Sequence, residues 1–94
     1  MALLVTYDLT RGSREDYSRL FDELKSPPTN GWWHHLESTW ILSTEETPDQ
    51  LYRRIEPHIH DDDNILIVRI DGQPRQGWLK EKAWTWLRKH VPRR

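Results

Sequence analysis

Acidic and histidine side chains are concentrated in residues 58 to 63, where their types suit a divalent cation. His58 and His60 precede three consecutive aspartates. Mg²⁺ prefers oxygen ligands and is held by one or two carboxylates plus water, so Asp61 and Asp63 are candidate metal ligands. The same residue types are also typical of a solvated turn that ends a helix. The sequence leaves both interpretations open.

Two adjacent histidines, His34 and His35, are a second group of residues that could bind a metal ion or transfer protons. They lie in a predicted strand, so their side chains point to opposite faces and cannot bind one metal ion together. At most one of them would serve a site, as an acid or base, and a structural role in packing is the favoured alternative. The chain has no cysteine, which excludes disulfides, thiolate metal sites and cysteine nucleophiles.

Hydrophobic periodicity predicts the elements that position these residues. Apolar runs and alternation indicate strands, and apolar residues three and four apart indicate helices. The predicted order is a strand at 2 to 9, a helix at 14 to 25, an alternating segment at 32 to 44, a helix from 48 to about 56, a strand at 64 to 70 and a helix at 80 to 90. The alternating segment is too long for one ordinary strand. It predicts two strands that meet near Glu37 and Ser38, or one strand bent there by a bulge.

Local signals support the starts and ends of the helices. Thr47, Pro48 and Gln50 form a capping-box pattern with proline at the first helical position. Pro57 should end that helix near residue 56, because it has no N–H to donate and clashes with the preceding turn. Ser13 is better explained as the cap of the first helix than as a nucleophile.

The order β-α-β-β-α-β predicts an α+β, ferredoxin-like fold with a four-stranded antiparallel sheet of order 4-1-3-2. Residues 1 to 72 would form this core, and residues 73 to 94 a loop and an extra C-terminal helix rich in tryptophan. Strands three and four run antiparallel to strand one, so the end of strand one lies beside their starts. This topology places Asp8 at the same edge of the sheet as Glu37, Ser38 and the aspartates at 61 to 63.

Size and charge limit the function classes. A chain of 94 residues and 11.4 kDa forms one domain. Residues 1 to 74 carry seven basic and fourteen acidic side chains, whereas residues 75 to 94 carry seven basic and one acidic. This distribution does not indicate a uniform nucleic-acid-binding surface. Because the start does not resemble a signal peptide and no apolar run approaches the ~20 residues of a membrane span, we expect a cytoplasmic protein with no membrane partner.

Six tryptophans and an apolar last strand suggest an interface. The strand at 64 to 70 is apolar on both faces, so the face away from the first two helices should be covered by the C-terminal helix or by a second copy. We therefore expect a homodimer. The tryptophans coincide with strand and helix periodicity, which favours packing over base stacking. They are Trp32, Trp33, Trp40, Trp78, Trp84 and Trp86.

The first strand carries a family resemblance. The segment Val-Thr-Tyr-Asp-Leu at 5 to 9 resembles the small CRISPR-associated Cas-two proteins and the related VapD ribonuclease toxins, and Ser-Thr-Trp at 38 to 40 is similar to their Ser-Val-Phe. The tryptophan-rich segments 33 to 40, 77 to 79 and 83 to 87 resemble more closely the little-characterised SinR-like group of Cas-two-like proteins. The Cas-two proteins usually end in a strand that crosses to the partner subunit. This chain instead ends in a predicted helix, so its dimer geometry should differ.

The resemblance implies a metal-dependent endonuclease of antiviral defence, in particular an endoribonuclease, that acts as a homodimer. It assigns Asp8 as the Mg²⁺ ligand, with the symmetry-related Asp8 as the second carboxylate. Tyr7 would join Asp8 in the catalytic set, and Arg11 and Arg14 would position the phosphates of RNA or DNA. Two alternatives stay open. One is a non-catalytic dimeric module that binds a protein partner through its tryptophan-rich surface, and the other is the toxin of a toxin-antitoxin pair.

Overall fold

The computed structural model describes residues 1–10 and 17–91 and has the predicted α+β architecture. The predicted arginines Arg11 and Arg14 and the predicted cap Ser13 lie outside these residues. Seven elements follow one another along the chain: β1 (Ala2–Asp8), α1 (Ser18–Lys25), β2 (Gly31–Leu36), β3 (Thr39–Ser43), α2 (Pro48–Ile55), β4 (Asn64–Arg69) and α3 (Glu81–His90). The predicted order of strands and helices, including the extra C-terminal helix, is confirmed.

The four strands form one antiparallel sheet in the order β2-β3-β1-β4, which is the predicted 4-1-3-2 arrangement. The register pairs Leu4 with Val68, Thr6 with Leu66 and Asp8 with Asn64. Residues 37 and 38 form the turn between β2 and β3, so the long alternating segment is two strands. The pairing of β2 with β3 is irregular between Trp33 and Leu36.

The start of α2 follows the sequence signal closely. The Thr47 hydroxyl accepts a hydrogen bond from the Gln50 backbone N–H, and the Gln50 side chain accepts one from the Thr47 backbone N–H. Pro48 occupies the first turn, and the α-helical hydrogen bonding gives way to a short 3₁₀ turn at Glu56–His58. Pro57 lies in that turn, as its missing N–H requires.

Both α1 and α2 pack on one face of the sheet, which we call the helix face. Its buried core consists of Leu3, Val5, Tyr17, Leu20, Leu24, Trp40, Leu42, Leu51 and Ile55. Arg54 fastens this layer from α2, because its guanidinium forms ion pairs with Glu46 at 2.8 Å and with Glu23 of α1 at 3.1 Å. Leu20 and Leu24 of α1 are buried in this core, as expected for apolar residues on one side of a helix.

The opposite face, which we call the open face, is covered only in part. α3 lies against the β2 and β3 side, where Trp33 donates its indole N–H to the Ala83 carbonyl at 3.2 Å. The remaining side carries Leu66 and Val68 of the edge strand β4, which are 60% and 41% exposed. α3 thus covers one half of the face, which confirms the first predicted alternative for that half, and leaves the other half without cover from the described chain. Cover of that second half by another copy stays a prediction. None of the described helices is long and apolar enough to span a membrane.

Candidate active site

The end of β1 meets the β2–β3 turn and the start of β4 at one edge of the sheet. The Tyr7 backbone N–H donates to the Ser38 carbonyl at 3.1 Å, and Asp8 pairs with Asn64. A cavity of about 730 Å³ opens at this edge, lined by Tyr7, Asp8, Leu9, Tyr17, Phe21, His34, His35, Leu36, Glu37 and Ser38. The predicted convergence of Asp8 with the β2–β3 turn is confirmed.

Asp8 is the exposed residue of β1 that reaches this edge on the open face. Directly opposite residues of paired strands share a face, so Asp8 lies with Thr6 and Leu66 on the side that α3 leaves uncovered. Its carboxylate forms no hydrogen bond or ion pair with the residues of 1–10 and 17–91. Within the described residues, Asp8 is thus an exposed carboxylate without a partner.

Tyr7 lies on the helix face and its hydroxyl is held in place. The hydroxyl accepts a hydrogen bond from the Trp40 indole N–H at 3.0 Å and donates to the Glu37 carbonyl at 3.3 Å. Burial raises the pKa of Tyr7, and the nearby Glu37 carboxylate raises it further, while the Trp40 hydrogen bond acts in the opposite direction. Tyr7 thus stays protonated near neutral pH and serves as a donor that fixes the β2–β3 turn.

Asp63 is occupied by hydrogen bonds within the protein. Its carboxylate accepts from the Thr10 N–H (2.9 Å), the Thr10 hydroxyl (3.0 Å), the Tyr17 hydroxyl (2.7 Å) and the His60 N–H (2.9 Å). Burial alone would raise the pKa of Asp63, but these four donors outweigh it and lower the pKa to about 2. Asp63 ties the chain after β1 to α1 and to the loop before β4, which is a structural role.

The predicted metal ligands Asp8, Asp61 and Asp63 are not assembled into one site. Among the described residues, no group of three or more histidine, cysteine or acidic side chains is placed to hold a metal ion. Asp61 is exposed on the loop before β4. Zinc and calcium sites need several protein ligands, whereas Mg²⁺ accepts one or two carboxylates plus water and substrate phosphates. Among the described residues, a single exposed carboxylate such as that of Asp8 suits a Mg²⁺-like ion better than zinc or calcium.

His34, His35 and His58 have separate environments. His34 stacks on Trp40 with ring centroids 4.0 Å apart, and its Nε2 is 3.1 Å from the Glu37 carbonyl, which accepts the hydrogen bond. His35 lies on the opposite face, as the strand periodicity predicted. Partial burial and the charges of Lys82 and Lys80 lower the pKa of His35, which favours its neutral form. His58, in contrast, faces Glu23 of α1 at 3.7 Å.

Phe21 and Lys25 line a second cavity beside the first one, and the sequence pattern did not identify them. By sequence, Phe21 and Lys25 are assigned only to the predicted helix at 14 to 25. The structure places both beside Trp32 at the edge strand β2. Their spacing of four residues puts them on one side of the helix, but only the tertiary fold shows that this side borders an exposed tryptophan.

No protein-family model matches the chain, and a search of curated proteins finds no match. The fold and the geometry at the end of β1 are thus the observations on which a function can be argued.

Proposed function

We propose that this protein is a metal-dependent phosphodiesterase that acts on nucleic acid as a symmetric homodimer. The observation that carries the proposal is the position of Asp8, an exposed carboxylate on the same face as the exposed Leu66 and Val68. The exposed apolar surface at Leu66 and Val68 thus lies beside Asp8, the carboxylate that we assign to the metal ion.

The exposed apolar side chains of β4 supply the reason for dimerisation. Leu66 and Val68 lie two residues apart on an edge strand, where both an apolar surface and unpaired backbone groups are open to water. A two-fold axis would place this surface against its own copy. Since Thr6 pairs with Leu66 and Asp8 follows two residues later on the same face, both Asp8 carboxylates would lie near that axis.

Two Asp8 carboxylates match the ligand requirement of Mg²⁺ better than one. When bound, the ion would supply polarisation of the phosphate and activation of water. The residues of this chain would then have separate tasks. Asp8 would hold the ion, and the Tyr7 hydroxyl would keep the β2–β3 turn, with Glu37 and Ser38, against the site. Arg11 and Arg14 stay sequence-based candidates for the phosphate contacts.

A cleavage assay tests this proposal. Wild type should cleave single-stranded RNA or DNA in millimolar Mg²⁺ or Mn²⁺ and lose activity in EDTA, and Asp8→Asn should lose at least about one hundred-fold in rate. Asp49→Asn is the matched control, because it removes an exposed carboxylate of α2 whose pairing with Arg53 contributes little. Equal activity of wild type and Asp8→Asn would refute the role of Asp8, and loss of activity in Asp61→Asn alone would move the metal to the β4 loop.

Trp78 favours a second function, that of a non-catalytic module for a protein partner. It lies between β4 and α3 and is 97% exposed. Large aromatic side chains are frequent binding hot spots. The same cleavage assay separates the two functions, because a binding module predicts no metal-dependent cleavage by wild type or by any variant.

A further inference from the structure

A second cavity of about 290 Å³ lies between α1 and the edge strand β2. It is lined by Ser18, Phe21, Asp22, Lys25, Trp32, His34 and Trp40. Phe21 and His34 also line the larger cavity that Asp8 borders. We call this second cavity the Trp32 groove. A chain-like ligand that passes from one cavity to the other would run from Trp32 towards the edge of the sheet at which β1 ends.

The Trp32 groove contains a row of aromatic rings with one open end. Trp40 is buried and contacts the other rings, with centroid distances of 4.0 Å to His34, 5.5 Å to Trp32 and 5.8 Å to Phe21. Trp32 is 44% exposed. Buried Trp40 and partly buried His34 and Phe21 form the floor and wall of the groove, and Trp32 presents aromatic surface to a ligand.

The ammonium group of Lys25 makes the Trp32 groove favourable for a ligand with a negative charge. Its ammonium lies over the rings of Trp32 and Trp40, 5.0 Å and 5.9 Å from their centroids. No ion pair of Lys25 is formed within the described parts of the chain. A cation already lies over one face of each ring, so a second cation is disfavoured there and a negative group beside the exposed part of Trp32 is favoured. The Asp22 carboxylate on the rim offers an acceptor for an amino group.

We propose that the Trp32 groove binds an unpaired nucleobase of a single-stranded nucleic acid. The base stacks on Trp32 and Lys25 contacts the adjoining phosphate, which combines an aromatic platform with a positive charge. A base within a duplex is already stacked and paired and does not enter. This inference rests on the proposed function for its naming of nucleic acid, and it restricts the substrate to single strands.

Fluorescence anisotropy with labelled oligonucleotides tests the groove. The probes are an unstructured RNA of about 12 nucleotides, a DNA of the same sequence and the corresponding duplex. Measurements use Asp8→Asn as the parent protein in EDTA, so that cleavage does not interfere. Adding Trp32→Ala should weaken single-strand binding about ten-fold or more. Lys25→Met should weaken it several-fold and reduce the slope of log affinity against log salt by about one.

Trp78→Ala is the matched control, because it removes a more exposed tryptophan that does not line the groove and should leave affinity unchanged. Trp32→Phe keeps an aromatic face and should retain most of the binding. Circular dichroism and thermal melting verify that each variant is folded. Trp32-dependent binding of either single strand supports the groove, and the tighter of the two identifies the preferred sugar.

Three results would overturn the proposal that the groove binds an unpaired base. They are no binding of either single strand, equal affinity of the Trp32→Ala and Trp78→Ala proteins, or a duplex bound as tightly as the single strands. These results are independent of the cleavage assay. If Asp8→Asn abolishes cleavage but Trp32→Ala leaves binding unchanged, the proposed function stands without the groove. If binding depends on Trp32 but wild type never cleaves, base binding by the groove is supported and the proposed nuclease activity is refuted.

Discussion

The helix face and the open face of the sheet differ in how completely the chain covers them. On the helix face, α1 and α2 enclose side chains such as Trp40 and Leu51, and Arg54 fastens the two helices to each other. On the open face, α3 covers Trp33 and Ile41 but not Leu66. The first face holds the fold together. The described residues leave the second face uncovered at the place where Asp8 lies, and this combination of an exposed apolar surface with an exposed carboxylate is the basis of the proposed function.

Trp40→Ala should be the most damaging substitution, because Trp40 is the centre of the helix-face packing. It is buried among Phe21, His34 and Trp32, and its indole N–H donates to Tyr7. Removing a buried tryptophan costs about 3 to 5 kcal/mol in the free energy of unfolding. Chemical denaturation should show this loss. A change below about 1 kcal/mol would mean that the helix face does not carry the stability of the fold.

Leu87→Ala tests the thinner layer formed by α3. Leu87 is buried beneath α3 with Ala83 and Trp33, and its truncation should cost about 2 to 3 kcal/mol, towards the lower end for a buried leucine because one helix relaxes more easily than two. Trp84→Ala should cost less, since Trp84 is only partly buried. An unchanged melting temperature for Leu87→Ala would contradict the packing of α3 on the sheet.

Much of this architecture is predictable from sequence because it depends on local patterns. The capping box at Thr47, the apolar runs of β1 and β4, and the topology that brings Asp8 to the β2–β3 turn all follow from residue type and spacing. The hydrogen bonds to the Asp63 carboxylate do not follow from such patterns. Their donors belong to Thr10, Tyr17 and His60, which are separated in sequence and meet only in the folded chain.

The extent of the open face was also beyond sequence patterns. The apolar character of both faces of β4 predicted that a cover was needed. How far α3 reaches across the sheet depends on the path of the segment between β4 and α3, which has no periodic signal. The groove beside Trp32 was missed for a similar reason, since Lys25 meets that ring only through the packing of α1 against β2.

Asp63→Asn should produce a moderate, pH-dependent loss of stability. The carboxylate is partly exposed, so replacing it by a neutral acceptor should cost about 1 kcal/mol at pH 7. Since the folded pKa is lowered from 3.8 to about 2, the stabilisation is complete above pH 4 to 5 and is lost as pH falls through 3.8 towards 2. Urea denaturation of both proteins from pH 7 to pH 2.5 checks this. If the difference in free energy of unfolding between the two proteins stayed constant or grew on acidification, it would contradict the stabilising role of the Asp63 hydrogen bonds.

Leu66→Glu should leave the stability of the single chain nearly unchanged and break the dimer. Leu66 is 60% exposed, so its free-energy effect on the isolated fold should stay within about 0.5 kcal/mol. Light scattering should give wild type about twice the 11.4 kDa chain mass, and Leu66→Glu the chain mass. Tyr52→Glu on α2 is the control, as Tyr52 is also exposed but lies on a helix of the other face. A monomeric wild type at roughly 100 µM would rule out an obligate dimer.

The thermal shift caused by Mn²⁺ tests the central claim most directly, because that claim joins Asp8 to the uncovered face. An ion that binds only the folded protein adds ~2.7 kcal/mol of stability at one hundred times its Kd. We predict that millimolar Mn²⁺ raises the melting temperature of wild type, and that the rise disappears both in Asp8→Asn and in Leu66→Glu, since each removes part of a site shared by two copies. A wild type that does not respond to Mn²⁺, or an equal rise in all three proteins, would contradict the account.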